Sequence, residues 1–430
     1  MIDETHDMSA VCWVPGADQH PDFPVQNLAM GIFSTRDAGP RPGIAIGDHV
    51  LDVGQVLTLL QDRAAEACNA LHAADRLNAL FALPAEARRA FRRAVFDLLS
   101  DAAWEKEASG ALVPADVCTM HLPLAVRDYT DFYAGIHHAT TVGSLLRPEN
   151  PLLPNYKFIP VGYHGRSSSI RVSGTSVRRP SGQVKPAGAD EPVFAQSQRL
   201  DYELELGIWV GGQSQLGTPV PIASARDHIA GVSLLNDWSA RDIQAWEYVP
   251  LGPFLAKNFA TTVAPWVVTA EALEPFRTSQ HPRLQGDPAP LEYLSDKDDQ
   301  AHGAFDIRVD VLLRSAKMRQ AGDDAVLLGS VSATDLYWTP AQMLAHHTVN
   351  GCDIAAGDLM GTGTISGAED SQRGSLMELS RGGRNPITLP NGESRTFLAD
   401  WDEVIMMGWA EREGFRRIGF GQCAAIIAPA

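Results

Sequence analysis

A chain of 430 residues, 45% hydrophobic and 20% charged, exceeds one ordinary domain and can bury a large core, so two domains are expected. No uncharged run approaches the ~18 apolar residues of a membrane span, and the acidic start Met1-Ile2-Asp3-Glu4 lacks the basic and apolar blocks of a secretory signal, which points to a cytoplasmic protein. A formal net charge of −17 argues against a nucleic-acid surface and demands local cations wherever an anionic substrate binds.

Residues 1–118 read as a separate N-terminal unit. Gly43 to Val53 spells two short strands around a Gly-Asp turn. Phe91, Val95, Leu98 and Leu99 recur at helical spacing, and Pro84 divides this helix from an alanine-rich one before it. The boundary falls near Val113 to Pro123, where helix gives way to loop. From 119 to 430 glycine, proline and β-branched residues rise, and strand patterns recur at Phe305–Leu313 and Val404–Gly408. The charged run Asp296–His302 reads as a solvated loop. The five cysteines are scattered and form no Cys-x-x-Cys pair, so free thiols are expected rather than a zinc knuckle or a disulfide framework.

Four stretches concentrate chemistry. Asp201-Tyr202-Glu203-Leu204-Glu205-Leu206 alternates polar and apolar residues, which on one strand puts three carboxylates on one face. Such a face is solvated, lies at a protected sheet edge, or carries a cation. A helix capped by Asn236 or Asp237 and limited by Pro250 aligns Asp237, Arg241, Gln244 and Tyr248 along one stripe, with Lys257 and Thr261 following a Gly-Pro turn. Thr130 is a candidate cap for a helix starting at Asp131, which puts Asp131 and His138 on one face as ligand and base, or else as ordinary polar residues. Glu378, among Leu376, Met377 and Leu379, is a half-buried carboxylate suited to orienting a histidine. The acids with no cysteine among them favour a hard cation over zinc or copper. Gly361 to Gly367 matches no phosphate-binding spacing and reads as a turn that brings backbone amides and Thr364 toward a ligand. No G-x-S-x-G and no H-E-x-x-H occurs.

These stretches resemble the fumarylacetoacetate hydrolase family over nearly the whole chain. The resemblance is densest in Asp131-Phe132-Tyr133, Pro160 to Arg166, Glu203-Leu204-Glu205, Asn236 to Gln244, Trp246 to Phe254, Gly363 to Gly367 and Gly419 to Cys423. It implies a mainly β (α+β) fold: a small SH3-like N-terminal barrel joined to a large mixed β-sandwich roll, usually as a homodimer. It also implies metal-dependent hydrolysis of a carbon–carbon bond in 4-fumarylacetoacetate, a dicarboxylate diketone, at the end of tyrosine and homogentisate breakdown.

By the same resemblance Asp131, Glu203, Glu205 and Asp237 match Ca2+ ligands, and Asp237, Lys257 and Thr261 a Mg2+ site. His138 matches the general base, Glu378 its orienting carboxylate, and Arg241, Gln244 and Lys257 the groups that steady the departing carbanion. Tyr133, Arg147, Gln244, Tyr248 and Thr364 match substrate contacts, with Tyr163 nearby. His137, adjacent to His138, competes for the role of base, though the spacing from Asp131 favours His138. Two other functions fit parts of the pattern: an acylpyruvate hydrolase or other keto-acid hydrolase or decarboxylase of the wider superfamily, and a Ca2+-binding module without catalysis. The latter has no use for His138, Glu378 and Lys257.

Overall fold

The computed structural model describes residues 1–430, the side chain of Leu146 excepted. Its N-terminal part is built on a five-stranded antiparallel sheet, in the order Leu112–Pro114, His49–Asp52, Ala38–Ile46, Met30–Thr35, Thr119–His121. The turn at Gly47-Asp48 joins two of these strands as expected, and the last strand lies just past residue 118. Two helices, Val53–Leu71 and Ala85–Ser100, cover the sheet with their apolar stripes, which include Leu60, Val95 and Leu99. Asp52 caps the first helix by accepting from Gly54 N at 3.1 Å.

The remainder is a sandwich of two sheets. One follows the order Gly162–His164, Tyr129–Phe132, Leu359–Gly361, Leu204–Val210, Ile229–Asp237, Thr261–Val263, Ile170–Val172, with Val268–Thr269 also paired to Ile229–Asp237. It is mixed: Tyr129–Phe132 runs parallel to Leu359–Gly361, and Thr261–Val263 parallel to Ile170–Val172. The other places Val326–Ser332, Ile307–Arg314, Glu403–Ala410, Ile418–Ala428 and Val177–Arg178 side by side. Ile307–Arg314 alternates buried and partly exposed residues, the signature of a strand with one face on the core. Leu204–Val210 and Ile229–Asp237 are buried at every position. On one face Leu206 and Leu234 join Val309 and Met406 of the facing sheet. On the other, Trp209 and Leu235 pack with Met30 and Ile32 of the N-terminal part. The chain is therefore mixed α+β with mostly sheet, its cores meeting across one central sheet.

Three local expectations are corrected. The acidic alternation is not one continuous strand. Leu200–Asp201 pairs with Ser239–Ala240, Leu204–Val210 pairs with Ile229–Asp237, and Asp201, Glu203 and Glu205 are all buried, with no solvated face. Tyr129–Phe132, holding Asp131, is strand, because parallel pairing to Leu359–Gly361 outweighs the local capping pattern. Asp237 ends a strand, and the helix that follows spans only Arg241–Glu247, so Asp237 and Arg241 are not on one helical stripe.

A fourth correction concerns Asp296–His302, which forms the helix Lys297–His302 capped by Asp296 rather than a loop. It forms because Asp299 turns inward and accepts from Thr339 Oγ1 at 2.8 Å. Burial pushes the Asp299 carboxyl up to about 6, against the opposing effect of the Thr339 bond. With the folded value above the unfolded one of about 3.9, the folded state binds this proton more tightly. Its stabilising effect is complete at low pH and is lost as pH rises from about 4 to about 6. Asp299→Asn is expected to remove that loss, at most about 2–3 kcal/mol. Urea midpoints taken near pH 4 and near pH 7 check it; an unchanged difference between them would mean that the carboxyl titrates normally.

Candidate active site

A cavity of about 400 Å3 opens at the end of the central sheet. Of the residues singled out from sequence, Asp131, Tyr133, His138, Arg147, Tyr163, Glu203, Arg241, Gln244, Tyr248 and Lys257 line it. Glu205, Asp237, Thr261, Thr364 and Glu378 stand directly behind or beside that wall, all buried.

The floor is acidic. Asp131, Glu205 and Asp237 come from three strands of one sheet and each places an oxygen within 4.8 Å of the others. Gly361, on the strand between Asp131 and Glu205, makes this approach possible. A Cβ there would stand 2.8 Å from Asp131 Oδ1, 2.9 Å from Glu205 Oε2 and 2.9 Å from the Tyr129 hydroxyl. Asp131 Oδ1, Glu205 Oε1 and the Tyr129 hydroxyl are buried with no protein partner. Burial and the charge of Asp237 push the Asp131 carboxyl well above the usual range, and burial with Asp131 and Asp237 does the same to Glu205. Burial also raises Asp237, against the pull of Lys257. Unpaired buried carboxylates of this kind are costly unless a positive charge joins them. An all-oxygen set with orphaned lone pairs fits a hard divalent cation.

Glu203 is turned away from that triad. Its carboxylate takes the Lys257 ammonium on one oxygen and Arg241 Nη1, at 2.7 Å, on the other. Burial alone would raise this carboxyl, but Lys257, Arg241 and His138 hold it well below the usual range. Lys257 also meets Asp237 Oδ2 at 2.6 Å, and Thr261 Oγ1 donates to Asp237 Oδ1 at 3.3 Å. Burial would lower the Lys257 value, but Asp237 and Glu203 raise it above normal, so the ammonium stays charged.

Arg241 is held as firmly. Its Nε donates to Asp201 Oδ2 at 3.0 Å and its Nη1 to Gln244 Oε1 at 3.1 Å, while Nη2 is buried and unpartnered. Asp201 in turn accepts from Leu376 N and Met377 N, at 2.8 and 3.0 Å, fastening the arginine to the segment that carries Glu378.

His138 lies on the helix Ile136–Leu146, while Asp131 reaches the cavity from its strand, so they converge from different elements. Gly135 before that helix lets it pack closely, since a Cβ there would fall 2.1 Å from the Thr364 carbonyl oxygen. His138 Nδ1 is 2.7 Å from Glu378 Oε2, which also accepts from Ser366 and Ser375 hydroxyls at 2.9 Å each. Burial would raise the Glu378 carboxyl, but His138 and the two serines lower it, so it stands as a carboxylate. His138 Nε2 lies 3.8 Å from Glu203 Oε1, on the cavity side. His137 instead faces His281, ring centroids 5.9 Å apart, and does not line the cavity. Tyr133 meets His138 edge-on, and the Tyr163 hydroxyl donates to Asp237 Oδ2 at 3.4 Å.

Tyr129, Ser366, Ser375 and the bonding of Asp201 to Arg241 are not among the features the sequence patterns pick out. Ser375 had a signal, since Ser-x-x-Glu is a helix-start pattern and Ser375 does cap Leu376–Leu379. Tyr129, Ser366 and Asp201 act across long separations that carry no local pattern.

A buried, carboxylate-held imidazole beside two charged cations and an acidic floor is the equipment of an enzyme, and of the hydrolase class. Residues 128–425 match the family described as fumarylacetoacetate (FAA) hydrolase C-terminal, and residues 26–123 that described as fumarylacetoacetase N-terminal. Fumarylacetoacetase of Caenorhabditis elegans is 48% identical over 422 residues, covering 96% of this chain and 98% of the relative. That of Homo sapiens is 45% identical over 425 residues, covering 97% and 99%. Among solved structures, the fumarylacetoacetate hydrolase of psychrophilic Exiguobacterium antarcticum covers 94% of this chain and 99% of its own at 17% identity, with a TM-score of 0.48. The chain belongs to the fumarylacetoacetate hydrolase family and is a hydrolase acting on carbon–carbon bonds.

Chelator-stripped protein is expected to melt at a higher temperature once Ca2+ is added, because a ligand bound only by the folded state stabilises it. Glu205→Gln is expected to abolish that rise, with the stripped variant at least as stable as the stripped parent. Scanning fluorimetry checks both, and an intact Ca2+ response in the variant would remove Glu205 from the cation site.

Proposed function

We propose that the protein hydrolyses 4-fumarylacetoacetate to fumarate and acetoacetate. The observation that carries this is the meeting, in one cavity, of the His138–Glu378 pair with Arg241, Gln244 and Lys257 above the acidic triad. Relatives named fumarylacetoacetase, 45–48% identical over nearly all of this chain, support the choice of substrate.

Asp131, Glu205 and Asp237 would hold a divalent cation, with Glu203 and Thr261 beside them. Bound there, the cation supplies Lewis-acid polarisation of a diketone carbonyl. Glu378 accepts from His138 Nδ1 and so fixes the tautomer that leaves Nε2 free to take a proton from water. The resulting hydroxide adds to the carbonyl on the fumaryl side, and the bond to the adjacent methylene carbon breaks. Its electron pair stays with the acetoacetate fragment as an enolate, which recovers the proton from His138. Three donors await that charge: the unpartnered Nη2 of Arg241, the one remaining proton of Lys257, and the Gln244 amide, whose oxygen is already engaged by Arg241. Arg147, Tyr133, Tyr163 and Tyr248 line the cavity as substrate contacts. Thr364 stands just behind this wall, with its hydroxyl buried and unpartnered. Within this proposal the cation is Ca2+ or Mg2+, which an all-oxygen ligand set favours, and the protein is a homodimer, as the family resemblance implies.

Loss of the diketone absorbance, with products identified as fumarate and acetoacetate, tests the reaction. Activity is expected to vanish with chelator and return with Ca2+ or Mg2+. His138→Ala is expected to lower kcat by about 10²–10⁴-fold with the Ca2+-induced rise in melting temperature retained. Cleavage of acylpyruvates alone would move the assignment to that reaction, and a fully active His138→Ala would remove His138 as base.

A further inference from the structure

The cavity wall carries four cations, and they are not equivalent. Arg241 and Lys257 are each ion-paired to two carboxylates, Asp201 with Glu203 and Glu203 with Asp237 respectively. Among the described residues, Arg147 and Arg199 line the same cavity and pair with no carboxylate. In a protein of net charge −17, two unneutralised guanidinium groups at one cavity form a local positive field. The family resemblance implies a substrate contact at Arg147 and none at Arg199.

Arg199 is exposed at the rim, yet its side chain is held at two points. Its guanidinium lies 4.9 Å from the centre of the Phe397 ring. One Nη2 proton goes to the Gly382 carbonyl oxygen at 2.6 Å. Gly382 and Gly383 both take positive φ, +71° and +88°, and a Cβ at Gly383 would stand 3.1 Å from the Phe397 ring and 3.4 Å from Arg199 Nη2. The backbone is fixed too, since the Arg199 carbonyl oxygen accepts from Arg241 N at 3.0 Å. A free surface arginine loses rotamer freedom when a ligand arrests it. Here stacking and the glycine turn have already arrested it, with most of its donors unspent.

We infer that Arg199 is a substrate-binding residue: with Arg147 it forms a two-point clamp that selects a diketone bearing two carboxylates over one bearing a single carboxylate. This rests on the proposed reaction, and deepens it by assigning a residue to the second charge of the substrate. Arg147 and Arg199 lie outside the ion-paired group around Glu203, so the clamp acts in binding and not on the breaking bond.

Arg199→Leu and Arg199→Lys test it in the full-length, metal-loaded protein. Leucine can still cover the Phe397 ring, while lysine keeps the charge but loses the planar stack and fork. With 4-fumarylacetoacetate, Arg199→Leu is expected to raise KM about tenfold with kcat within about twofold, as for a lost contact made equally in ground and transition states. Arg199→Lys is expected to fall between. One of the two monoacid analogues, each lacking one carboxylate, is expected to show the same KM in parent and Arg199→Leu. The same comparison is made without turnover, by calorimetric titration of 4-fumarylacetoacetate into His138→Ala with and without Arg199→Leu. An unchanged KM and Kd in Arg199→Leu, or an equal rise for the diacid and both monoacids, would overturn the clamp. Arg199-dependent binding with no cleavage by the parent enzyme would instead overturn the proposed reaction and leave the clamp standing. Absence of binding to the parent site would overturn both.

Discussion

The site depends on the burial of carboxylates in the middle of a sheet. Asp131, Asp201, Glu203, Glu205 and Asp237 all sit inside the protein, where an unmatched charge costs several kcal/mol. Two cationic side chains answer part of that demand, and they answer it on one side. Lys257 and Arg241 neutralise Glu203, Asp201 and part of Asp237. Asp131 and Glu205 are left facing one another across Gly361, each with one oxygen, Oδ1 and Oε1 respectively, that meets no donor among the described residues. The protein thus divides one acidic cluster in two: a half that anchors its own cations, and a half whose all-oxygen donor set suits a divalent cation.

That division fixes the chemistry of the wall above it. Because Glu203 holds Arg241 and Lys257, these cations are rigid before any substrate arrives, and preorganised charge stabilises a developing anion without reorganisation. Asp201 extends the network to the backbone of Leu376 and Met377. Arg241 and the Glu378 bonded to His138 are therefore positioned by one continuous set of hydrogen bonds. In the proposed reaction, base and carbanion acceptor cannot drift independently.

Much of the site was legible in the sequence as residue identity, and less of it as local structure. His138, Arg241, Gln244 and Lys257, marked in the sequence, come together around one cavity, with Glu378 behind His138. Two pairings have another cause than shared helical spacing: Asp131 and His138 meet because a strand and a separate helix converge, and Asp237 ends a strand before the helix that carries Arg241 begins. Spacing on one element was a poor guide, because short segments such as Tyr129–Phe132 adopt whatever conformation their neighbouring strands enforce. The two-sided burial of Leu204–Val210 was hidden for the same reason: its Glu-Leu-Glu start mimics a half-exposed strand. The N-terminal hairpin at Gly47-Asp48 and the helix carrying Phe91 and Leu99 were legible because their signals are local.

The cavity residues are drawn from Asp131, on the strand Tyr129–Phe132, to Phe397, and neighbouring strands of the central sheet come from remote parts of the chain. Contacts so distant in sequence form late, after the entropy of closing long loops has been met. No fragment and no half-assembled intermediate can present the dyad, the cations and the acidic floor together. Catalytic activity is in this sense the last property the chain acquires as it folds, and its recovery after denaturation reports closure of the whole central sheet rather than of any one part.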